Sequence, residues 1–226
     1  MSDAEEICRQ VYRETNAFYE SRVKEGCGLG FKILYGPPVP RPEILFLAYQ
    51  PGGGIKEYKH ELELRAHVEW PKKCEYAYET WRLARKMQKM FGPDLLKDCT
   101  GLNAIFFRSP RQKEYARTFH SALRSDIEDF CQRQVKQMIS AIQPRKIVVI
   151  GFKTLDLCGG GTPDLKSGAH ALTKIGRVAE QEAIATIHLS SPYILNTDRA
   201  LIHQHLKHYK LVPADHQMPD NPKQLK

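Results

Sequence analysis

At 226 residues, 42% apolar and 27% charged, the chain has the make-up of one globular domain, which excludes collagen-like and disordered classes. A net charge of +8 and a pI near 9.1 favour polyanionic partners, nucleic acid above all. No apolar run has transmembrane length and the acidic N-terminus lacks a signal-peptide core, so a cytoplasmic protein is expected, nucleoid-associated if bacterial, with no membrane role.

Ser2 and Glu5 read as a capping box. Behind them Ile7, Cys8, Val11, Tyr12, Phe18 and Tyr19 share one face of a helix that should end near Gly26 or Gly28. Residues 36–42 hold four prolines and lead into a buried strand over Ile44–Tyr49. Residues 51–74 look irregular. A helix is predicted from about Glu75 to Phe91, ended by Gly92-Pro93, and a second buried strand within Gly101–Phe107. A basic loop over 108–118 precedes a long helix from about Ser121 to Ile142. The third strand is Lys146–Gly151, followed by a short helix to Cys158 and a flexible break at Gly159-Gly160-Gly161. The fourth strand is Ala183–His188, and the last helix runs from Asn196 or Thr197 to about Tyr209, before a loose polar tail from Pro213. Four short buried strands alternating with helices predict an α/β fold: a single three-layer α/β/α sandwich around a mostly parallel four-stranded sheet.

The cysteines at 8, 27, 74, 99, 131 and 158 are never closer than 19 residues, which excludes a Cys-x-x-Cys clip and predicts reduced, mostly buried thiols. His203, His205 and His208 have the residue type for a metal site. Residues two apart do not share a helical face, however, so no metal is expected. The basic stretch 82–89 reads as a solvated helix face with Trp81 and Ala84 inward. Arg108, Arg111 and their loop are the better nucleic-acid candidates.

In an open α/β sheet, ligands bind beyond the carboxyl ends of strands. Three polar positions stand there or nearby. Gln50 opens the turn Gln50-Pro51-Gly52-Gly53-Gly54 after the first strand, with a carbonyl acceptor and an amide donor. Asn103 sits in an apolar run and needs partners, either structural or a ligand with adjacent donor and acceptor groups. His188 ends the fourth strand before Ser190-Ser191-Pro192 and can donate a hydrogen bond to a developing anion. Periodicity would put Asn103 near the start of its strand.

The ordered set of Pro-Gly after strand one, Asn at strand two and His-x-Ser after strand four resembles the uracil-DNA glycosylase superfamily over about residues 40–210. The stretch 143–151 is similar to the family's third strand, and Tyr78-Glu79-Thr80-Trp81 to a helix start in its mismatch-specific branch. The resemblance implies an enzyme that flips a deaminated, uracil-type base out of DNA and hydrolyses its N-glycosidic bond, as a monomer without metal or organic cofactor. It implies catalytic roles for Gln50, where the family often has Asp or Asn, and for His188. Tyr49, Pro51, Gly52, Gly53 and Asn103 would line the base pocket, with Asn103 pairing to the base edge and at the strand's carboxyl end. Ser190 and Ser191 would grip phosphates, with Arg108 and Arg111 as further DNA contacts. Tyr193, Ile194 or Leu195 would act as a wedge, and Tyr58 or Trp70 would stack on the base. The chain departs from the pattern in reading Gln at position 50, Leu at 189 in place of proline, and Gly at 52, where the uracil-specific branch has a tyrosine that excludes thymine. The same fold kept as a catalytically inactive DNA- or nucleotide-binding module is the alternative.

Overall fold

Apolar side chains alternate along the central strands and bury both faces of the sheet. Leu45 and Leu47 of β1 (Ile44–Ala48) join one core, while Ile44, Phe46 and Ala48 join the other. The computed structural model of the chain describes residues 3–25, 29–52, 59–60, 63, 70–109 and 114–218. Among these, α1 is Asp3–Phe18, continued by a π-helical turn at Tyr19–Val23. After β1 come α2 (Glu75–Tyr78), α3 (Arg82–Phe91) and α4 (Pro93–Lys97). Next are β2 (Thr100–Asn103), α5 (Tyr115–Thr118) and α6 (Ser121–Ile142). They are followed by β3 (Lys146–Ile150), α7 (Phe152–Leu157), β4 (Gly161–Ser167), β5 (His170–Val178), β6 (Gln181–Thr186) and α8 (Asn196–His208).

The sheet has the order β2-β1-β3-β6-β5-β4. The first four strands are mutually parallel and the last two antiparallel, so the fold is α/β with a mixed six-stranded sheet. One core gathers α1 and α6 against Leu102, Ile147, Val149 and Ala185; the other gathers α3, α4 and α8 against Val148, Ile150 and Ile184.

The sheet corrects the four-strand expectation. Glycines 159 and 160 have positive φ and turn the chain into β4, so the expected flexible break opens a hairpin. At Gly161 and Gly176 an added Cβ would run into the opposing backbone, so close approach demands glycine there. β4 is solvated along most of its length, which is how an edge strand without an apolar run escapes a hydrophobicity reading. Asp164 ties it to α8, accepting from His205 Nε2 at 2.5 Å and from the Tyr209 hydroxyl at 3.1 Å.

The predicted helix 75–91 is two helices, because Glu79 and Trp81 are extended. Gln88 of α3 reaches back across the break, its Nε2 donating to the carbonyls of Tyr76 and Glu79 at 3.0 and 2.8 Å. On the outer side of β2 the chain at 30–35 runs antiparallel, bridged at Leu34–Leu102 and Phe31–Phe107, and covers that edge. The described cysteines are unpaired; four are buried and Cys158 partly so.

His203 of α8 is buried, its Nε2 has no hydrogen-bond partner, and its ring packs 5.4 Å from that of His216. Burial, then the charges of Lys207 and His216, lower its pKa from 6.5 to about 4. The folded state therefore holds a neutral imidazole, while the unfolded chain takes up a proton near pH 6.5. The associated stability is complete above that pH and is lost as pH falls towards 4. Urea unfolding at pH 7.5 and 4.5 is expected to lose less stability in His203→Leu than in the wild type; equal losses would remove His203 as the cause.

Candidate functional site

Parallel registry brings several chain reversals to one edge. Ala48 of β1 is level with Asn103 of β2 on one side and with Ile150 of β3 on the other; Ile150 is in turn level with Thr186 of β6. Gln50, Asn103, Gly151 and His188 therefore stand at or just past the carboxyl ends of four adjacent strands. Neighbouring strands are about 4.8 Å apart, so the row spans about 14 Å, the scale of a nucleoside.

Asn103 ends β2, not its beginning as periodicity suggested, because the strand starts at Thr100. It is fully buried, and its Nδ2 donates to the Lys32 carbonyl at 3.0 Å. That bond fixes the amide: an oxygen in the same place would face another oxygen. One N–H of Asn103 is thereby engaged, and the second N–H remains. Oδ1 is buried without a hydrogen-bond partner.

Gln50 donates from Nε2 to the Ser109 hydroxyl at 2.8 Å, and its Oε1 is likewise buried without a partner among the described residues. Leaving a buried acceptor unsatisfied costs about 1–3 kcal/mol, so both oxygens are places for an incoming donor. Ser109 was not singled out from the sequence. It lies 59 residues from Gln50, and nothing local signals the contact. Pro51 is buried, while Gly52 is exposed and an added Cβ there meets nothing within 4 Å among the described residues.

His188 follows β6. Its Nδ1 is 3.0 Å from the Ser190 hydroxyl, and its ring lies beside Gly151, whose φ of +95° is a backbone conformation that favours glycine. Burial, then the nearby Arg82 cation, hold its pKa below 6.5 against the opposing effect of a backbone hydrogen bond. The imidazole is thus neutral at neutral pH. If the Ser190 hydroxyl donates to Nδ1, the ring proton lies on Nε2.

The loop after His188 is bonded to itself. Ser191 N donates to the His188 carbonyl at 2.8 Å, and Tyr193 N to the Ser191 hydroxyl at 3.3 Å. Arg199 of α8 braces it, donating to the carbonyls of Ile194 at 2.7 Å and Ser191 at 3.3 Å. Tyr193 is 89% and Leu195 65% exposed, whereas Ile194 is buried and drops out as a wedge.

Other expectations need correction. Arg108 is 3% exposed, held under the chain at 30–34 by the bond of its own N to the Gly30 carbonyl at 3.2 Å. Its guanidinium therefore has no solvent face for a phosphate. Tyr49 is buried with its ring edge-on to Tyr115 at 6.1 Å, and its pKa is pushed up to about 12 chiefly by burial. Trp70 is not placed to stack on a base, since Tyr12 at 5.4 Å and Arg9 at 4.4 Å cover it. Gly53, Arg111 and Tyr58 lie outside the described residues.

Two open hollows, about 580 and 460 Å³, lie elsewhere. Arg41, Gln143 and Pro144, which line them, precede β1 and β3, and Lys146 opens β3, so the hollows lie at the amino ends of the strands. The carboxyl edge carries two buried amide oxygens and a histidine held below its ordinary pKa, at the strand ends where open α/β sheets take ligands.

No protein-family model matches the chain, and no curated protein matches it. The class is therefore read from the chain itself: an α/β protein that gathers polar side chains at the carboxyl edge of a parallel four-strand core. Among the described residues no helix is long and apolar enough to cross a membrane.

Proposed function

We propose that the chain is a DNA glycosylase-like protein that takes a flipped, deaminated base of the uracil type at the carboxyl edge of its sheet and hydrolyses the N-glycosidic bond. The observation that carries this reading is the registry that puts Asn103, Gln50 and His188 in one row.

Asn103 keeps one N–H and its Oδ1 for the base edge, in an orientation set by Lys32. That pair complements an edge with a carbonyl beside an N–H, as uracil has. Cytosine, with an amino group beside a bare nitrogen, asks for the reverse arrangement. As the bond to the sugar breaks, the sugar becomes cation-like and negative charge gathers on the base oxygen. Nε2–H of His188 donates to that oxygen, and a water held by Gln50 Oε1 adds to the sugar. Gln50 does not ionise and takes no proton; the water's proton leaves to solvent and the base anion is protonated after departure. Exposed Tyr193 and Leu195 flank the loop as the hydrophobic wedge that fills the vacated stack. The open space at Gly52 supports tolerance of a 5-methyl group.

Incubation with single- and double-stranded DNA carrying uracil, hypoxanthine or xanthine is expected to release free base and leave alkali-labile abasic sites, uracil first. Salt-sensitive DNA binding without abasic product from any of them would remove the hydrolase and leave a binding module.

A further inference from the structure

The chain that leaves β2 is held on both sides well past the end of the ladder. Towards β1, Ala104 N donates to the Ala48 carbonyl at 2.7 Å and Ile105 N to the Tyr49 carbonyl at 2.8 Å. On the outer side, Lys32 N donates to the Phe106 carbonyl at 2.9 Å and Arg108 N to the Gly30 carbonyl at 3.2 Å. From α6, Cys131 Sγ accepts from Phe106 N at 3.4 Å. Ala104, Ile105, Phe106 and Phe107 are buried, so Ser109 emerges from a fixed stretch of backbone, one residue past its last tie.

This stretch sets Ser109 against the turn after β1. Its hydroxyl accepts from Gln50 Nε2 at 2.8 Å, and the residue is 1% exposed. A glutamine needs such a tether more than a shorter side chain does. Its amide stands at the end of three torsions, and an untethered amide samples many positions. A misplacement of about 1 Å at a reacting centre can cost on the order of a hundredfold in rate. The hydroxyl fixes the terminus, and with Nε2 engaged there the buried Oε1 is the atom left to accept from a ligand or a water.

We infer that Ser109 is a positioning residue for the hydrolysis: it holds the Gln50 amide so that Oε1 meets the attacking water. The inference rests on the glycosylase reading above and adds to it the residue that makes a long, non-ionising side chain usable at that place. Ser109 acts through Gln50 rather than on the base or the sugar. The exits of β1 and β2, far apart in sequence, then work as one unit: the first carries the water-holding amide and the second fixes where it stands.

The variants are S109A, S109C, Q50A and Q50A/S109A; S109C keeps the size of the side chain but accepts only weakly. Single-turnover release of uracil from a duplex with one U·G pair is compared with affinity for the same duplex by anisotropy. S109A and S109C are expected to slow release about ten- to a hundredfold while affinity stays within about twofold of the wild type. In the Q50A background, adding S109A is expected to slow release by less than about twofold, because the interaction it removes is already gone. Independently, the Gln50 side-chain amide protons, assigned in NMR spectra by their loss in Q50A, are expected to exchange with solvent faster in S109A. Serine variants as fast as the wild type overturn the inference and leave the glycosylase reading standing. So does a slowing that persists in full in Q50A, or one matched by lost affinity, since Ser109 then acts on the fold or the duplex and not through Gln50. Unchanged amide exchange in S109A overturns the tether itself. A Q50A protein as fast as the wild type overturns the water-holding role and the inference with it. Failure of the wild type to release any base overturns the glycosylase reading, and Ser109-dependent protection of the Gln50 amide would then make the pair a tie between two loops.

Discussion

Replacing His188 with alanine is expected to slow uracil release on the order of 10²- to 10³-fold while changing affinity for uracil-containing DNA only a few-fold. The split follows from where charge develops. The base oxygen is a weak acceptor in the ground state and a strong one as the bond breaks, so a preorganised donor favours the transition state over the bound substrate. In the proposed role His188 donates rather than transfers a proton: burial and Arg82 keep the imidazole neutral, and a Ser190 hydroxyl donating to Nδ1 would leave the proton on Nε2. Because its folded pKa lies below 6.5, its charge state does not change between pH 7 and 8, and the rate should be flat there. His188→Gln, which retains an N–H donor, should recover part of the loss. Single-turnover rates with saturating enzyme give the comparison. A His188→Ala protein within a few-fold of wild type, or one that loses binding and rate together, would remove the anion-stabilising role.

What the sequence made legible has a common cause. β1, β3 and β6 are buried on both faces, so each reads as an apolar run, and each ends where a polar residue or glycine interrupts it. Gln50, Gly151 and His188 are those interruptions, and finding them required only one-dimensional pattern. Asn103 was harder, because Ala104–Phe107 beyond it are also buried and extend the apolar signal past the end of the ladder. What stayed hidden depends on distance through space. Ser109 meets Gln50 across 59 residues. Charge pattern alone also cannot separate a buried arginine from a solvated one. Arg108 looked like the mouth of a basic loop, yet it is 3% exposed, and its backbone N–H bonds the Gly30 carbonyl beside β2. The hairpin β4–β5 was missed for the opposite reason. Thr162, Asp164 and Lys166 face water, and only Leu172, Thr173 and Val178 of β5 are fully buried, so no run rises above the background.

Asn103→Ala is the substitution that separates recognition from architecture, because the side chain has a place in both. Architecturally, removal leaves the Lys32 carbonyl without its 3.0 Å donor inside the protein, which costs about 1–3 kcal/mol of stability and should appear in urea unfolding whatever the protein binds. Recognition adds a second, separable effect. If the remaining N–H and Oδ1 read the base edge, the preference for a uracil-containing duplex over the same duplex with an abasic analogue at that position should shrink roughly ten- to a hundredfold, the 1–3 kcal/mol that a good bidentate pair supplies. An architectural residue would weaken both duplexes equally. Asn103→Asp sharpens the distinction. A carboxylate there would face the Lys32 carbonyl while buried, so the group would be driven to protonate and its hydroxyl would donate to Lys32 in place of the amide. The fold contact is then restored and one acceptor survives, but the second N–H is gone. Asn103→Asp should therefore regain stability over Asn103→Ala at mildly acidic pH without regaining full uracil preference. Recovery of both together would mean that the second N–H reads nothing, and Asn103 would stand as a tie between β2 and the segment beside it.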